Sequence, residues 1–332
     1  MGNALTWTLT ALPLELAYTW RISRGAVNHK TNFVVRVTDG QSEGCGEVAP
    51  NLRYSETPEI IAQQYAKISG GLPAEAISIT ELFTWLQQQG LPNALDFGIR
   101  SAYQHFLTAK TNLGIAELLG IEAGPNIPTS FSVPIMPVEH LQVFFEDQQV
   151  QRFKWLKLKV NPETLTDTVR EAARLTHMPL LLDGNEAWTN PDELATQLNQ
   201  LQNCRVQLVE QPMPAHLAAE YQYLKPRSPF PLLADESVTD QADMSELKKQ
   251  FHGLNMKLMK ARCYYNGAHL LRQARQHGLF TMVGCMVETS LGISSAMNLA
   301  SLADYTDLDG FLLVKNDPFK LVHEQNGLLN LA

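Results

Sequence analysis

Trp155-Leu156-Lys157-Leu158-Lys159, Pro179-Leu180-Leu181-Leu182-Asp183, Val206-Gln207-Leu208-Val209-Glu210, Pro231-Leu232-Leu233-Ala234-Asp235 and Leu254-Asn255-Met256-Lys257 are five short apolar runs, each ending on a charged residue. From Lys159 onward the end residues follow one another at steps of roughly 22 to 27 positions, about one strand, one helix and two loops, which is the repeat of a (β/α) barrel. The C-terminal ends of successive barrel strands open onto one mouth. Asp183, Glu210 and Asp235 are therefore expected together there, with Lys159 on one side and Lys257 on the other.

Taken singly, each of these residues has an ordinary explanation. A strand lysine is usually a solvated rim residue, and an acid after a strand usually forms a turn or caps the next helix. Taken together the ordinary explanation weakens. Lys157 and Lys159 share one face because strand side chains alternate, and an inward charge is costly unless it is paired or coordinated. Three carboxylates offer hard oxygen donors that suit Mg²⁺, which keeps positions free for water or substrate. Asn185 and Glu236, beside these acids, are expected to support the ligands rather than to bind the ion.

A cation at that mouth would bind a substrate carboxylate and stabilise the charge that grows as the adjacent carbon loses its proton. A neutral lysine takes that proton once its pKa falls from about 10.4, and a nearby cation such as Lys157 or Mg²⁺ pushes it down. Lys159 is the expected base on one face and Lys257 on the other. Removal on one face and return on the other inverts the stereocentre, a 1,1-proton transfer.

The chain has 332 residues and a net charge of -8, so it can bury a large core and carries no basic footprint for nucleic acid or an anionic membrane. Cys45, Cys204, Cys263 and Cys285 are far apart and form no CxxC pair, which predicts neither a disulfide framework nor a cysteine zinc site and fits a reducing cytoplasm. Met1-Gly2-Asn3-Ala4-Leu5-Thr6 formally matches a myristoylation pattern, but no anchor is expected. The alternation from Leu5 to Leu16 reads as a strand, contains Glu15 and lacks a basic leader, unlike a signal peptide. No run approaches membrane-spanning length, and a cytoplasmic protein is expected.

The chain divides into three stretches. Residues 1–125 read as an α+β capping domain: a meander with a turn at Asp39-Gly40, then helices, including a buried one that starts at Asn93. Residues 126–310 carry the strand and helix alternation of a modified (β/α)7β, TIM-like barrel, so the fold class is α/β. Residues 311–332, with a strand-turn-strand pattern around Asn326-Gly327, are expected to return to the capping domain.

Several motifs resemble the enolase superfamily, in its muconate-lactonizing subgroup, and most closely the dipeptide epimerases. They are Gly44-Cys45-Gly46-Glu47 and Arg53-Tyr54-Ser55-Glu56, then Lys157-Leu158-Lys159, Asp183-Gly184-Asn185-Glu186 and Glu210-Gln211-Pro212. Ala234-Asp235-Glu236-Ser237, Asn255-Met256-Lys257-Leu258, Gly284-Cys285-Met286 and Asp307-Leu308-Asp309-Gly310 complete the set. The resemblance implies the lysine and metal roles given above, and more. Asp307 and Asp309 would hold the α-ammonium of a free dipeptide. Arg24, in a capping loop, would pair with an acidic side chain on the second residue, because a guanidinium binds a carboxylate through two parallel bonds. Arg53 and Tyr54 belong to a second capping loop, Cys285 and Met286 would line the pocket, and Ser132 stands where a threonine contact is usual.

The favoured substrate implied is L-Ala-L/D-Glu, which would place the enzyme in murein peptide recycling. Two alternatives remain: an o-succinylbenzoate synthase or N-succinylamino acid racemase of the same fold, and a non-catalytic barrel paralogue. One departure bears on specificity. Arg262-Cys263-Tyr264 stand where relatives commonly have paired glycines, and such bulk would narrow the pocket or shift the sixth loop. The oligomeric state, a homo-oligomer included, is left open by the sequence.

Overall fold

A computed structural model describes residues 4–111, 113–122 and 124–332. Met1 and Gly2, the core of the myristoylation pattern, lie outside the described residues. Strands β1 (Thr6–Ile22), β2 (Gly25–Thr38) and β3 (Glu43–Val48) form an antiparallel sheet in that order. Helices α1 (Pro58–Ile68), α2 (Ile79–Gln87) and α3 (Asn93–Thr111) follow. Local chemistry starts the first two: Thr57 caps α1 with Pro58 in its first turn, and Ser78 and Glu81 close a capping box on α2. α3 lies directly on β3, and only glycines permit that approach. A side chain at Gly44 or Gly46 would run into the backbone of Ala102 or Gly98.

Two short strands follow, β4 (Ile127–Pro128) and β5 (Ser130–Val133), and the alternation then continues. It comprises β6 (Trp155–Lys159), β7 (Leu180–Asp183), β8 (Val206–Glu210), β9 (Leu232–Ala234), β10 (Gly253–Lys257), β11 (Phe280–Gly284) and β12 (Tyr305–Asp307). Strands β5 to β12 make one eight-stranded parallel sheet in sequential order. Between β12 and β5 the barrel is closed by side chains: Leu308 N donates to Thr129 Oγ1 (2.9 Å), and Ser130 Oγ donates to Asp307 Oδ1 (2.5 Å). The expected α/β class and barrel with an antiparallel cap are what the chain adopts.

Strand alternation divides the barrel into an outside and two inner layers. Leu156, Leu158, Leu180, Leu182 and Leu254 join the main core under the helices. Inside, Trp155, Leu181, Leu208, Leu233 and Met282 form a separate buried apolar plug. Two residues further along the same strands stand Lys157, Asp183, Glu210 and Asp235, so each strand passes from plug to charged layer in one step.

After the barrel, Val314 bridges to Leu16 of β1, and Lys315 N donates to Glu15 O (2.9 Å). The chain then forms the hairpin β13 (Val322–Gln325) and β14 (Leu328–Leu331), turning through Asn326 and Gly327 at positive φ, and β14 pairs with β4. Among the described residues no helix is long and apolar enough to cross a membrane.

Candidate active site

Register places the charges. Lys159 stands opposite Asp183, and Asp183 opposite Glu210, across β6, β7 and β8. Asp235 follows β9 directly, Lys257 ends β10 and Asp307 ends β12. A cavity of about 510 Å³ covers this rim, walled by the turn between β1 and β2 on one side and by residues 50–58 on another. Lys157, Lys159, Lys257, Asp235, Asp307, Asp309, Asn185 and Glu236 line it, as do Arg24, Ser132, Cys285 and Met286. Asp183 and Glu210 do not. Both are 0% exposed and lie beneath the floor that the lysines form.

Each carboxylate of the rim is held by an ammonium. Lys157 Nζ lies 2.6 Å from Asp307 Oδ2, 2.8 Å from Glu210 Oε2 and 3.1 Å from Asp183 Oδ2. Lys159 Nζ reaches Asp183 Oδ2 at 2.6 Å, and Lys257 Nζ reaches Asp235 Oδ2 at 2.8 Å. Among the described residues, no three acidic, His or Cys side chains are gathered as a ready cation cage. The lysines stand between the acids instead.

These pairings set the protonation states. Burial works to lower the pKa of Lys157, yet Asp307, Glu210 and Asp183 outweigh it and hold the ammonium well above its ordinary value. Lys257 is raised in the same way: burial opposes, and Asp235 and Glu210 prevail. For Lys257 this differs from the depression expected of a base beside a cation, because its carboxylate neighbours outweigh Lys157. Burial pushes Glu210 up to about 7 against the pull of Lys157. Burial, then the neighbouring Asp307, pushes Asp309 up to about 7.

The other expected residues fall into three groups. Asn185 N donates to Asp183 Oδ1 (3.0 Å), with Asn185 itself at positive φ. Ser132 N donates to Asp309 Oδ2 (2.5 Å), and Cys285 Sγ donates to Asp307 O (3.3 Å). Arg24 is bound to the barrel rather than reaching freely into the cavity. Its Nη1 lies 2.7 Å from Glu236 Oε1, 3.0 Å from Asn185 O and 3.4 Å from Glu186 Oε2. Arg53 joins the same Glu186, with Nη2 donating to Oε1 at 2.7 Å. Tyr54 lines the cavity.

The bulky residues after Lys257 do not narrow the pocket. None of Arg262, Cys263 and Tyr264 lines the cavity. Arg262 turns away at positive φ and its Nε lies 3.0 Å from Asp240 Oδ2, while Tyr264 packs on Phe97 and meets His105 Nε2 at 2.9 Å. They fill the seam between barrel and α3.

Three members of the network were not singled out from sequence. Asn255 Nδ2 donates to Glu210 Oε1 (2.8 Å), and strand alternation from Lys257 would have found it. Lys260 Nζ lies 2.7 Å from Asp235 Oδ1. Glu186 takes both capping arginines, a role that its place in the Asp183-Gly184-Asn185-Glu186 motif does not reveal.

Residues 139–317 match the family described as Enolase C-terminal domain-like, more than half of the chain. The chain belongs to that family. It is 33% identical over 333 residues to an L-Ala-D/L-amino acid epimerase of Pedosphaera parvula (strain Ellin514), covering 96% of this chain and 94% of the relative. An enolase family member from Agrobacterium tumefaciens with homology to dipeptide epimerases, solved with sodium and L-Ala-L-Glu bound, superposes with a TM-score of 0.88 at 25% identity over 99% of this chain and 98% of that one. A dipeptide epimerase from Enterococcus faecalis V583, complexed with Mg and L-Leu-L-Tyr, has a TM-score of 0.89 at 21% identity over 99% and 97% of the two chains. The enolase-superfamily member described here is an epimerase.

Proposed function

We propose that the chain is a Mg²⁺-dependent dipeptide epimerase acting in the cytoplasm by 1,1-proton transfer at the α-carbon of the C-terminal residue. L-Ala-L/D-Glu is the favoured substrate, and murein peptide metabolism the setting. One observation carries the reading. Lys159 and Lys257 end strands β6 and β10, four apart in an eight-stranded barrel, so they face each other across the cavity. Each is seated on its own carboxylate, Asp183 or Asp235. A proton taken by one and returned by the other crosses from face to face.

The donor set suits a hard cation. Asp183, Glu210 and Asp235 offer buried carboxylate oxygens only. Glu210 Oε2, although near Lys157, has no hydrogen-bond donor in good geometry, and neither has Glu236 Oε2. These three acids would hold the ion, with Asn185 and Glu236 supporting them. When bound, Mg²⁺ supplies Lewis-acid stabilisation of the charge that grows on the substrate carboxylate and takes up the negative charge that otherwise keeps the lysines protonated. Lys157 holds Asp183, Glu210 and Asp307 in one array and thereby ties the metal side of the site to the ammonium side. Asp307 and Asp309 receive the ammonium of the dipeptide.

A second reading, an enzyme of N-succinylated or similarly acylated substrates, draws on the contacts that Asp307 and Asp309 already make. Asp307 is engaged by Lys157 and Ser130, and Asp309 by Ser132 N, which leaves less charge for a free ammonium. Screening a dipeptide library for α-deuterium uptake from D₂O with Mg²⁺, beside N-acetyl and N-succinyl counterparts, separates the two. Exchange confined to free dipeptides is expected. Exchange confined to acylated compounds selects the second reading, and no exchange in either set sinks the epimerase proposal.

A further inference from the structure

Six lysines and arginines line the cavity: Arg24, Lys30, Arg53, Lys157, Lys159 and Lys257. Five are spent on the protein. Arg24 and Arg53 are paired with Glu236 and Glu186, Lys157 and Lys159 with the rim acids, and Lys257 with Asp235. Lys30 is different: among the described residues it is the one lining cation without an ion pair. It stands on β2 opposite Leu14, half-buried, on a wall that feels the charge of Lys257.

Acids are near Lys30, but each is committed elsewhere. Glu47 accepts from Asn32 Nδ2 (2.8 Å), Thr289 N (3.0 Å) and Gly292 N (2.9 Å). Glu56 accepts from Ala94 N (3.1 Å) and Asn51 N (3.2 Å), and Glu288 from Met286 N (2.7 Å). Burial lowers the pKa of Lys30, and the field of these acids offsets that only in part. A half-desolvated cation facing a cavity is costly until an anion reaches it.

The charges of a bound dipeptide identify that anion, an argument that rests on the epimerase reading. Its α-carboxylate is assigned to the Asp183, Glu210 and Asp235 side, and its ammonium to Asp307 and Asp309. Lys30 answers neither. From this we infer that Lys30 is the specificity residue for a substrate side chain ending in a carboxylate, a role that Arg24, already bound to Glu236, does not fill. Lys30 thus selects acidic dipeptides over their neutral isosteres.

The test compares L-Ala-L-Glu with L-Ala-L-Gln, equal in shape and different in charge, by turnover and by calorimetric binding with Mg²⁺ present. In the unmodified enzyme the acidic dipeptide is preferred. In Lys30→Gln the ratio of kcat/KM, and of affinity, for Glu over Gln falls by about tenfold or more. Lys30→Arg keeps the preference, which shows that the cation rather than the fold is read. Lys30→Glu turns selectivity toward L-Ala-L-Lys. The inference is overturned if Lys30→Gln depresses both dipeptides equally, if the preference survives it, or if the unmodified enzyme binds both alike. Charge-selective binding without α-proton exchange would instead keep Lys30 and remove the epimerase reading.

Discussion

Lys260 Nζ lies 2.7 Å from Asp235 Oδ1, on the opposite oxygen of the carboxylate from the one that Lys257 holds at 2.8 Å. Asp235 is 2% exposed and Lys260 is 4% exposed, so the pair is buried, with Asp235 facing the cavity. Lys260 fixes which oxygen of Asp235 turns toward Lys257 and the cavity. Lys260→Met is expected to cost about 1–3 kcal/mol of stability, the loss of a buried donor to a carboxylate that Lys257 still holds. Urea denaturation measures this, and an unchanged midpoint would show that Asp235 is held by Lys257 alone.

Glu210→Gln keeps the shape of a side chain that meets both Lys157 and Asn255. It removes one of the three charges of the proposed Mg²⁺ site. The expected outcome is weaker Mg²⁺ binding by calorimetry and a loss of epimerisation of at least about a hundredfold, in line with removing a charge used in the transition state. Full activity after exhaustive chelation of the unmodified enzyme would dismiss the metal altogether.

In the proposed mechanism Lys159 and Lys257 serve opposite faces of the α-carbon. Lys159→Ala and Lys257→Ala each abolish epimerisation in this scheme, while each retains α-proton exchange of the one stereoisomer whose proton points at the surviving lysine. Proton NMR in D₂O, run on L-Ala-L-Glu and L-Ala-D-Glu separately, reads both. Epimerisation by either variant at the unmodified rate contradicts a two-base mechanism.

Arg24 latches the turn between β1 and β2 onto the loop after β7, with Ser23 Oγ donating to Asn185 O (2.9 Å) beside it. Arg24→Ala is therefore expected to raise KM for acidic and neutral dipeptides alike. Should it impair only Glu-terminated dipeptides, Arg24 leaves Glu236 to bind substrate, and the role assigned to Lys30 passes to it.

Much of this protein is legible along the chain. The apolar runs of β6 to β10 and the charged residue at or just after each C-terminal end encode strand length, inward alternation and the spacing of a barrel repeat, all of which are local properties. The carboxylates and lysines could be placed on one rim from sequence because parallel strands in sequential order leave one arrangement for their ends.

Partnership was not legible, because it depends on which side chains meet once the barrel closes and the cap settles on it. Arg24 and Glu236 are 212 positions apart, yet they form a 2.7 Å ion pair. Arg262 and Tyr264 sit where a pocket wall was expected and turn into the seam with α3 instead. Lys30 has no motif, and the acids around it are held by other donors: Glu47 by Thr289 N and Glu56 by Ala94 N from distant segments, and Glu288 by Met286 N two residues away. Strand period and turn chemistry are written residue by residue, whereas the pairing of a buried charge is decided by the cheapest opposite charge that packing brings within reach.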